Sequence, residues 1–321
     1  MIFEKKVIGQ FKRSVIVRQN TPEELFLYSA EDFPGLVKEK YEFVGNHGQK
    51  LVGAFYYYGE KTPTRVVIFE HGMGGGHRSY MKEIEALASR GFTVLSYDHT
   101  GCMDSEGDDI VGFSQSLADL DCLINTLTLR DGYAECDISV VGHSWGGFST
   151  LNIAKYHPEI SHIVAFAGFI SVRALLSQFL TGIMKFYIKS LVRYEESLNG
   201  DYALASADNA LTDSKVKAMI IHSEDDRTVS YSTHFERLKE VYGDRPNTEF
   251  VGITGRGHNP NYSEGAVKSL GECVSELTRL RRAGELKTAE EKKAFREKFD
   301  WASITEQDPV IWDRIKDFLK N

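Results

Sequence analysis

Nowhere in the 321 residues is there a run of about 18 uncharged apolar positions, so the sequence offers no segment fit to cross a membrane as a helix. The opening stretch, MIFEKKVIGQFKRSVIVRQN, has no apolar core of roughly 7–15 residues and no small-residue cleavage site, and it does not read as a secretory signal. Cysteine is scarce: Cys102, Cys122, Cys136 and Cys273 lie far apart with no C-x-x-C pair, which argues against a disulfide framework or a zinc site. Basic charge is also short, 38 Lys and Arg against 46 Asp and Glu, for a net charge of −8. Such a chain lacks the electrostatic footprint of a nucleic-acid binder. The one basic run, Arg279–Arg282, is interleaved with leucine and reads as the polar face of a helix. HGMGGG at 71–76 lacks the G-x-x-x-x-G-K-[ST] signature of a phosphate cradle. These absences lead to the expectation of a cytoplasmic protein acting on a small molecule, with no nucleic-acid partner and no membrane span.

What is present is a rhythm. Hydrophobic residues make up 42% of the chain and charged ones 26%, enough for a sizeable core beneath a water-facing surface. YEFVGNHGQKLVGAFYYY (41–58) predicts a hairpin turning at Asn46-His47-Gly48. Short apolar runs at 65–72, 92–98, 138–144, 162–168, 218–224 and 249–255 read as strands. Between them Tyr80, Ile84 and Leu87, and then Phe113, Leu117, Leu120, Ile124 and Leu127, recur at helical spacing. Repeated β-α units predict an α/β fold with a mostly parallel sheet covered by helices on both faces. In such sheets ligands bind beyond the carboxyl ends of the strands. Three stretches break the rhythm: 1–38, where an extra strand and a helix are expected; about 50 residues between the strands at 162–168 and 218–224; and a charged helical excess at 264–305.

The segment SVVGHSWGGF (139–148) places Ser144 in a G-x-S-x-G pattern between a buried strand and a helix start. Glycines on either side permit a sharp turn that leaves the serine side chain exposed at the tip of the sheet. A serine hydroxyl is a poor nucleophile at neutral pH and needs a base, which in turn needs an orienting acid. On this kind of sheet the partners follow in the order Ser, Asp or Glu, His. MIIHSEDDRTVS offers Glu224, Asp225 and Asp226 after one strand, and VGITGRGHNP offers His258 after the next.

GHSWG, FEHGMGGG, YDHTGCMDSEG, HSEDDRTV and GRGHNP, in this order, resemble the α/β-hydrolase fold superfamily, closest to its capped serine esterase, lipase and peptidase branch, over about 40–260 and the final helix. The resemblance implies Ser144 as nucleophile, His258 as general base and, from the D-x-x-V pattern, Asp226 as the acid. It implies backbone N–H donors for an oxyanion at Met73 and Trp145, with Gly74–Gly76 letting their loop approach the substrate. It implies no metal or organic cofactor. Two positions depart from the family's habit, Met103 and Ser223, each standing where glycine is frequent; neither is a triad position. The chain is then a single domain over 1–321, with a helical cap at 169–214 whose Phe169, Phe179, Met184 and Phe186 would line a substrate pocket, and an N-terminal extension at 1–38. His71 and His143 are expected to pack or hydrogen-bond under the site, His77 to be a loop residue, Tyr56–Tyr58 to pack, and Glu195 and Glu196 to form a solvated helix face. The activity implied is hydrolysis of a carboxylic ester or related acyl bond of a small hydrophobic substrate. The rivals are a serine aminopeptidase or amidase, a thioesterase or acyltransferase, and a non-catalytic ligand-binding protein that kept the fold. Epoxide hydrolases and haloalkane dehalogenases need an aspartate where Ser144 stands.

Overall fold

The computed structural model describes residues 2–62 and 64–321. Eight strands form one sheet: β1 (Leu36–Val44), β2 (Lys50–Tyr58), β3 (Arg65–Glu70), β4 (Thr93–Tyr97), β5 (Asp137–His143), β6 (His162–Phe166), β7 (Lys217–Ser223) and β8 (Thr248–Ile253). Their spatial order is β1-β2-β4-β3-β5-β6-β7-β8. The β1–β2 hairpin pairs Val44 with Lys50 across the expected turn, and β2 runs antiparallel to both β1 and β4. Every other pairing is parallel.

Strands buried on both faces need apolar side chains at every position, which is why these runs show no polar alternation. With a side-chain period of two, each strand splits its residues between the faces. Val66, Ile68, Val140, Ile163 and Ile220 pack on one side, against Leu117, Leu120 and Ile124 of helix Gln115–Thr128. Val67, Phe69, Val141, Val164 and Ile221 pack on the other, against Met81, Ile84 and Leu87 of helix Met81–Ala88 and Trp312, Ile315 and Phe318 of helix Pro309–Lys320.

The stretch between β6 and β7 is helical, with helices Val172–Phe179 and Ile188–Asn199 joined by a 3₁₀ turn at Gly182–Tyr187. Its Val172, Leu175, Leu191 and Val192 are buried in the same apolar cluster as the first sheet face. The excess at 264–305 forms helices Glu264–Arg282, Ala289–Arg296 and Trp301–Ile304 around a small core of its own, including Cys273, Leu277 and Phe295. Leu280 points into that core while Arg281 pairs with Glu24, as an interleaved basic run allows.

Among the described residues, the first 38 supply a helix, Ile2–Ser14, and the first residues of β1 from Leu36, but no extra strand of their own. Beyond that helix the chain crosses the loop after β4, sharing one isolated bridge between Gln19 and Cys102. The Arg18 guanidinium donates to the carbonyls of Met103, Ser105 and Gly107, so this segment is held by a loop and not by a sheet edge. Among the described residues no helix is long and apolar enough to cross a membrane.

Candidate active site

β5 lies between β3 and β6, and its chain turns at Ser144 into helix Trp145–Asn152. Ser144 is held at φ 56°, ψ −110°, a strained conformation for a residue with a side chain. The turn closes only because its neighbours lack a Cβ. One on Gly142 would strike the Gly146 carbonyl and the Thr150 hydroxyl, and one on Gly146 would strike the Glu70 carbonyl on β3. The Ser144 N–H donates to the Phe166 carbonyl (2.9 Å), which fixes the elbow to β6.

His258, on the loop after β8, reaches back over this tip. Its Nε2 lies 2.8 Å from Ser144 Oγ and its Nδ1 2.8 Å from Asp226 Oδ2. A carboxylate accepts only, so Nδ1 carries the proton and Nε2 presents its lone pair to the serine hydroxyl. Asp226 Oδ1 accepts from the N–H groups of Thr228 (2.8 Å) and Val229 (3.0 Å), and His222 Nε2 lies 3.2 Å from Oδ2. Burial alone would raise the Asp226 carboxyl, but the bonds from His222, His258 and Val229 hold it well below the usual carboxylate range. It therefore stays an anion beside His258.

The two other acid candidates stand elsewhere. Asp225 Oδ1 accepts from the Ser223 hydroxyl (2.6 Å) and from the N–H groups of Gly255 (3.0 Å) and Gly257 (3.2 Å), so it ties down the loop that carries His258. Glu224 is exposed. Ser223, where a glycine is frequent, thus has a partner of its own. A second brace comes from His143, buried just before the elbow. Its Nε2–H donates to the His258 carbonyl (2.7 Å), and its Nδ1 accepts from the Tyr80 hydroxyl (2.9 Å). Burial and the neighbouring His258 push His143 down to about 3, so it remains a neutral brace at ordinary pH.

Of the other histidines, His71 donates from Nδ1 to the Gly72 carbonyl and accepts the His99 N–H. His77 is not a loose loop residue. It is buried, its Nδ1–H donates to Asp98 (2.7 Å), and its Nε2 lies 3.0 Å from the buried Tyr56 hydroxyl. That network joins the loops after β3 and β4.

A pocket of about 470 Å³ opens at Ser144 and His258, walled by Met73, Trp145, Phe113, Phe169, Phe179 and Val229, among others. The Trp145 N–H is the first of its helix and has no carbonyl one turn before it to receive it. Met73 lines the same pocket, and among the described residues its N–H has no partner within the chain. Phe169 is buried and stacked on Phe148 (4.7 Å between rings) beneath the pocket. Met184 does not reach this pocket; it lines a second cavity farther out. Phe186 lines neither cavity and is 81% exposed, because it sits on the outer side of the 3₁₀ turn. The expectation that it contributes to the pocket wall is corrected accordingly.

Glu195 also differs from expectation. It is fully buried, and its carboxylate accepts the N–H groups of Phe113 (3.0 Å) and Ser114 (3.3 Å) and the Ser114 hydroxyl (3.0 Å). The Phe113 carbonyl in turn receives the Trp145 indole N–H. Glu195 thus pins the pocket wall at the start of helix Gln115–Thr128, and only Glu196 faces water.

Residues 61–214 match the family model described as serine aminopeptidase, S33. Mouse monoglyceride lipase is 26% identical over 115 residues, covering 36% of this chain and 36% of the lipase. A probable 1-acylglycerol-3-phosphate O-acyltransferase of Oryza sativa subsp. japonica is 30% identical over 125 residues, 38% of this chain and 30% of that protein. The chain thus spans about a third of the length of these curated relatives. Similarity of fold extends further. An esterase of Pyrococcus furiosus superposes with a TM-score of 0.60 at 20% identity, over 95% of this chain and 97% of the esterase. Acetyl xylan esterase from Paenibacillus sp. R4 does so at 0.56 and 18% identity, over 80% and 88%. By its sheet order, its serine elbow and these matches, the chain has the α/β-hydrolase fold.

Proposed function

We propose that the protein is a serine hydrolase that cleaves a carboxylic ester, or a related acyl bond, of a small hydrophobic substrate through an acyl-enzyme. The observation that carries this reading is the relay Asp226–His258–Ser144, with 2.8 Å at each link. In the proposed mechanism Ser144 Oγ attacks the acyl carbonyl as His258 Nε2 takes its proton. The carbonyl oxygen becomes an oxyanion, held by the N–H groups of Met73 and Trp145; losing one such donor typically costs about 10²–10³ in rate. His258 then protonates the leaving alcohol, and Asp226 stabilises the imidazolium and fixes its tautomer. Water repeats the sequence on the acyl-enzyme and frees the acid and Ser144. The stretch at 169–214 serves as a cap that walls the substrate pocket through Phe169, Leu175 and Phe179.

The aminopeptidase reading asks for a carboxylate to meet a substrate ammonium. Among the described residues, neither cavity beside Ser144 is lined by an aspartate or glutamate, and Glu195 is committed to Phe113 and Ser114. This favours an uncharged acyl group. A panel of p-nitrophenyl esters beside aminoacyl p-nitroanilides tests the choice. Turnover of the esters, with the anilides at least about 100-fold slower in kcat/KM, supports it, a ratio that corresponds to about 3 kcal/mol at the transition state. The opposite preference overturns it.

A further inference from the structure

Helix Ile2–Ser14 lies outside the stretch 61–214 that matches the family model, yet it forms one side of an apolar cavity of about 790 Å³. Phe3, Val7 and Phe11, four residues apart, make a stripe along the helix that faces this space. Leu176, Leu180, Met184 and Leu191 of the insert face it from the opposite side. The space is a groove open to water, rimmed by Lys6, Gln10 and Arg13, and concave, mostly apolar walls of this size have the character of a ligand site. The cavity adjoins the Ser144 pocket along a shared wall of Ser14, Val15, Phe113, Leu175 and Phe179.

The N-terminal segment is also fastened to the rim of the catalytic pocket. Arg18 donates to three carbonyls of the loop after β4. The Gln19 N–H donates to the Gly101 carbonyl (2.9 Å), and the Met103 N–H donates to the Gln19 carbonyl (3.0 Å). The Thr21 and Ser79 hydroxyls lie 2.6 Å apart, tying the segment to the loop after β3. Met103, which departs from the family's glycine, takes φ 39° here and sets its sulfur 3.1 Å from the Thr21 N–H. The segment is therefore built into the pocket's edge.

We infer that the N-terminal helix and the insert together form a binding site for the distal part of one long, unbranched aliphatic acyl chain, whose carbonyl end lies at Ser144. The inference rests on the ester-hydrolase reading of Ser144. A sugar or peptide would forfeit its hydrogen bonds to water between these walls, whereas methylenes gain by leaving water. Each methylene that enters raises kcat/KM about four-fold until the cavity is filled.

The test fills the cavity from either wall with Val7→Trp and Leu180→Trp, both checked for native melting. Two readouts are taken: the ratio of kcat/KM for p-nitrophenyl laurate over acetate, and displacement of cis-parinaric acid by dodecanoate from Ser144→Ala carrying each change. The expected result is a fall of at least about ten-fold in the laurate/acetate ratio and a matching loss of dodecanoate affinity. Phe186→Ala, which lies on neither cavity, keeps the wild-type ratio. A wild-type ratio in both tryptophan variants overturns the inference. Should the wild type cleave no ester, the hydrolase reading fails and the cavity is judged on binding alone. Dodecanoate binding abolished by Val7→Trp then upholds the site, and absence of dodecanoate binding to Ser144→Ala overturns it.

Discussion

On the proposed mechanism the adjacent Asp225 and Asp226 have different tasks, and replacing each with asparagine separates them. Asp226→Asn keeps an oxygen for the N–H groups of Thr228 and Val229, so the loop retains its shape. The amide nitrogen now faces His258 Nδ1 and donates to it. The ring proton moves to Nε2, which can no longer accept from the Ser144 hydroxyl. A wrong tautomer of this kind lowers kcat by about 10⁴, or about 5.4 kcal/mol at the transition state. Asp225→Asn touches no reacting atom. Its oxygen can still receive Ser223, Gly255 and Gly257, with weaker bonds to a neutral acceptor at an exposed position. Loosening that loop by about 1 kcal/mol corresponds to roughly a five-fold loss. The assay is steady-state kcat on p-nitrophenyl acetate, with thermal melting to confirm folding. Asp226→Asn within ten-fold of wild type, or Asp225→Asn the more damaged of the pair, refutes the division of labour.

Glu195→Ala strands two backbone N–H groups and a hydroxyl in the interior and is expected to cost about 2–4 kcal/mol, a fall in Tm of roughly 4–8 °C by scanning fluorimetry; a shift under about 1 °C contradicts this. Glu83 predicts a pH effect: burial pushes its carboxyl up to about 7 despite the bond from Asn261 (3.1 Å), and among the described residues Oε2 has no partner. Because the folded state holds that proton more tightly than the unfolded chain, its stabilising contribution is complete below about pH 4.5 and is lost as pH rises toward 7, on the order of 3 kcal/mol. Glu83→Gln should therefore gain Tm over wild type at pH 8 relative to pH 5, and an equal difference at both pH values sinks the assignment.

The five runs from 65 to 224 were legible because burial on both faces leaves an apolar run bounded by turn residues; the run at 249–255 also became a strand, β8, although at the sheet edge it is only partly buried. The meeting of Ser144, His258 and Asp226 was legible because each stands at a fixed offset from a strand end, where local sequence carries the geometry. What stayed hidden depends on partners remote in sequence. Glu195 looks like Glu196 on an amphipathic helix, and only the fold brings it to the backbone of Phe113 and Ser114. His222 reads as one more strand residue until Asp226 folds back beside it. The N-terminal segment has strand-like Val15-Ile16-Val17, but no sheet edge is offered to it; carbonyls of the 101–107 loop take it instead. Phe186 is apolar by type and exposed by place, and composition cannot tell the two apart.

The account turns on whether Ser144 is an activated nucleophile. A fluorophosphonate reacts with a serine only when a base draws off its proton, so labelling followed by peptide mass spectrometry tests the relay without knowledge of the substrate. The account predicts stoichiometric labelling of the folded wild type at Ser144, none in Ser144→Ala, and a strongly slowed reaction in Asp226→Asn. A folded wild type that stays unlabelled, or a Ser144→Ala protein that labels as fast as wild type, contradicts it.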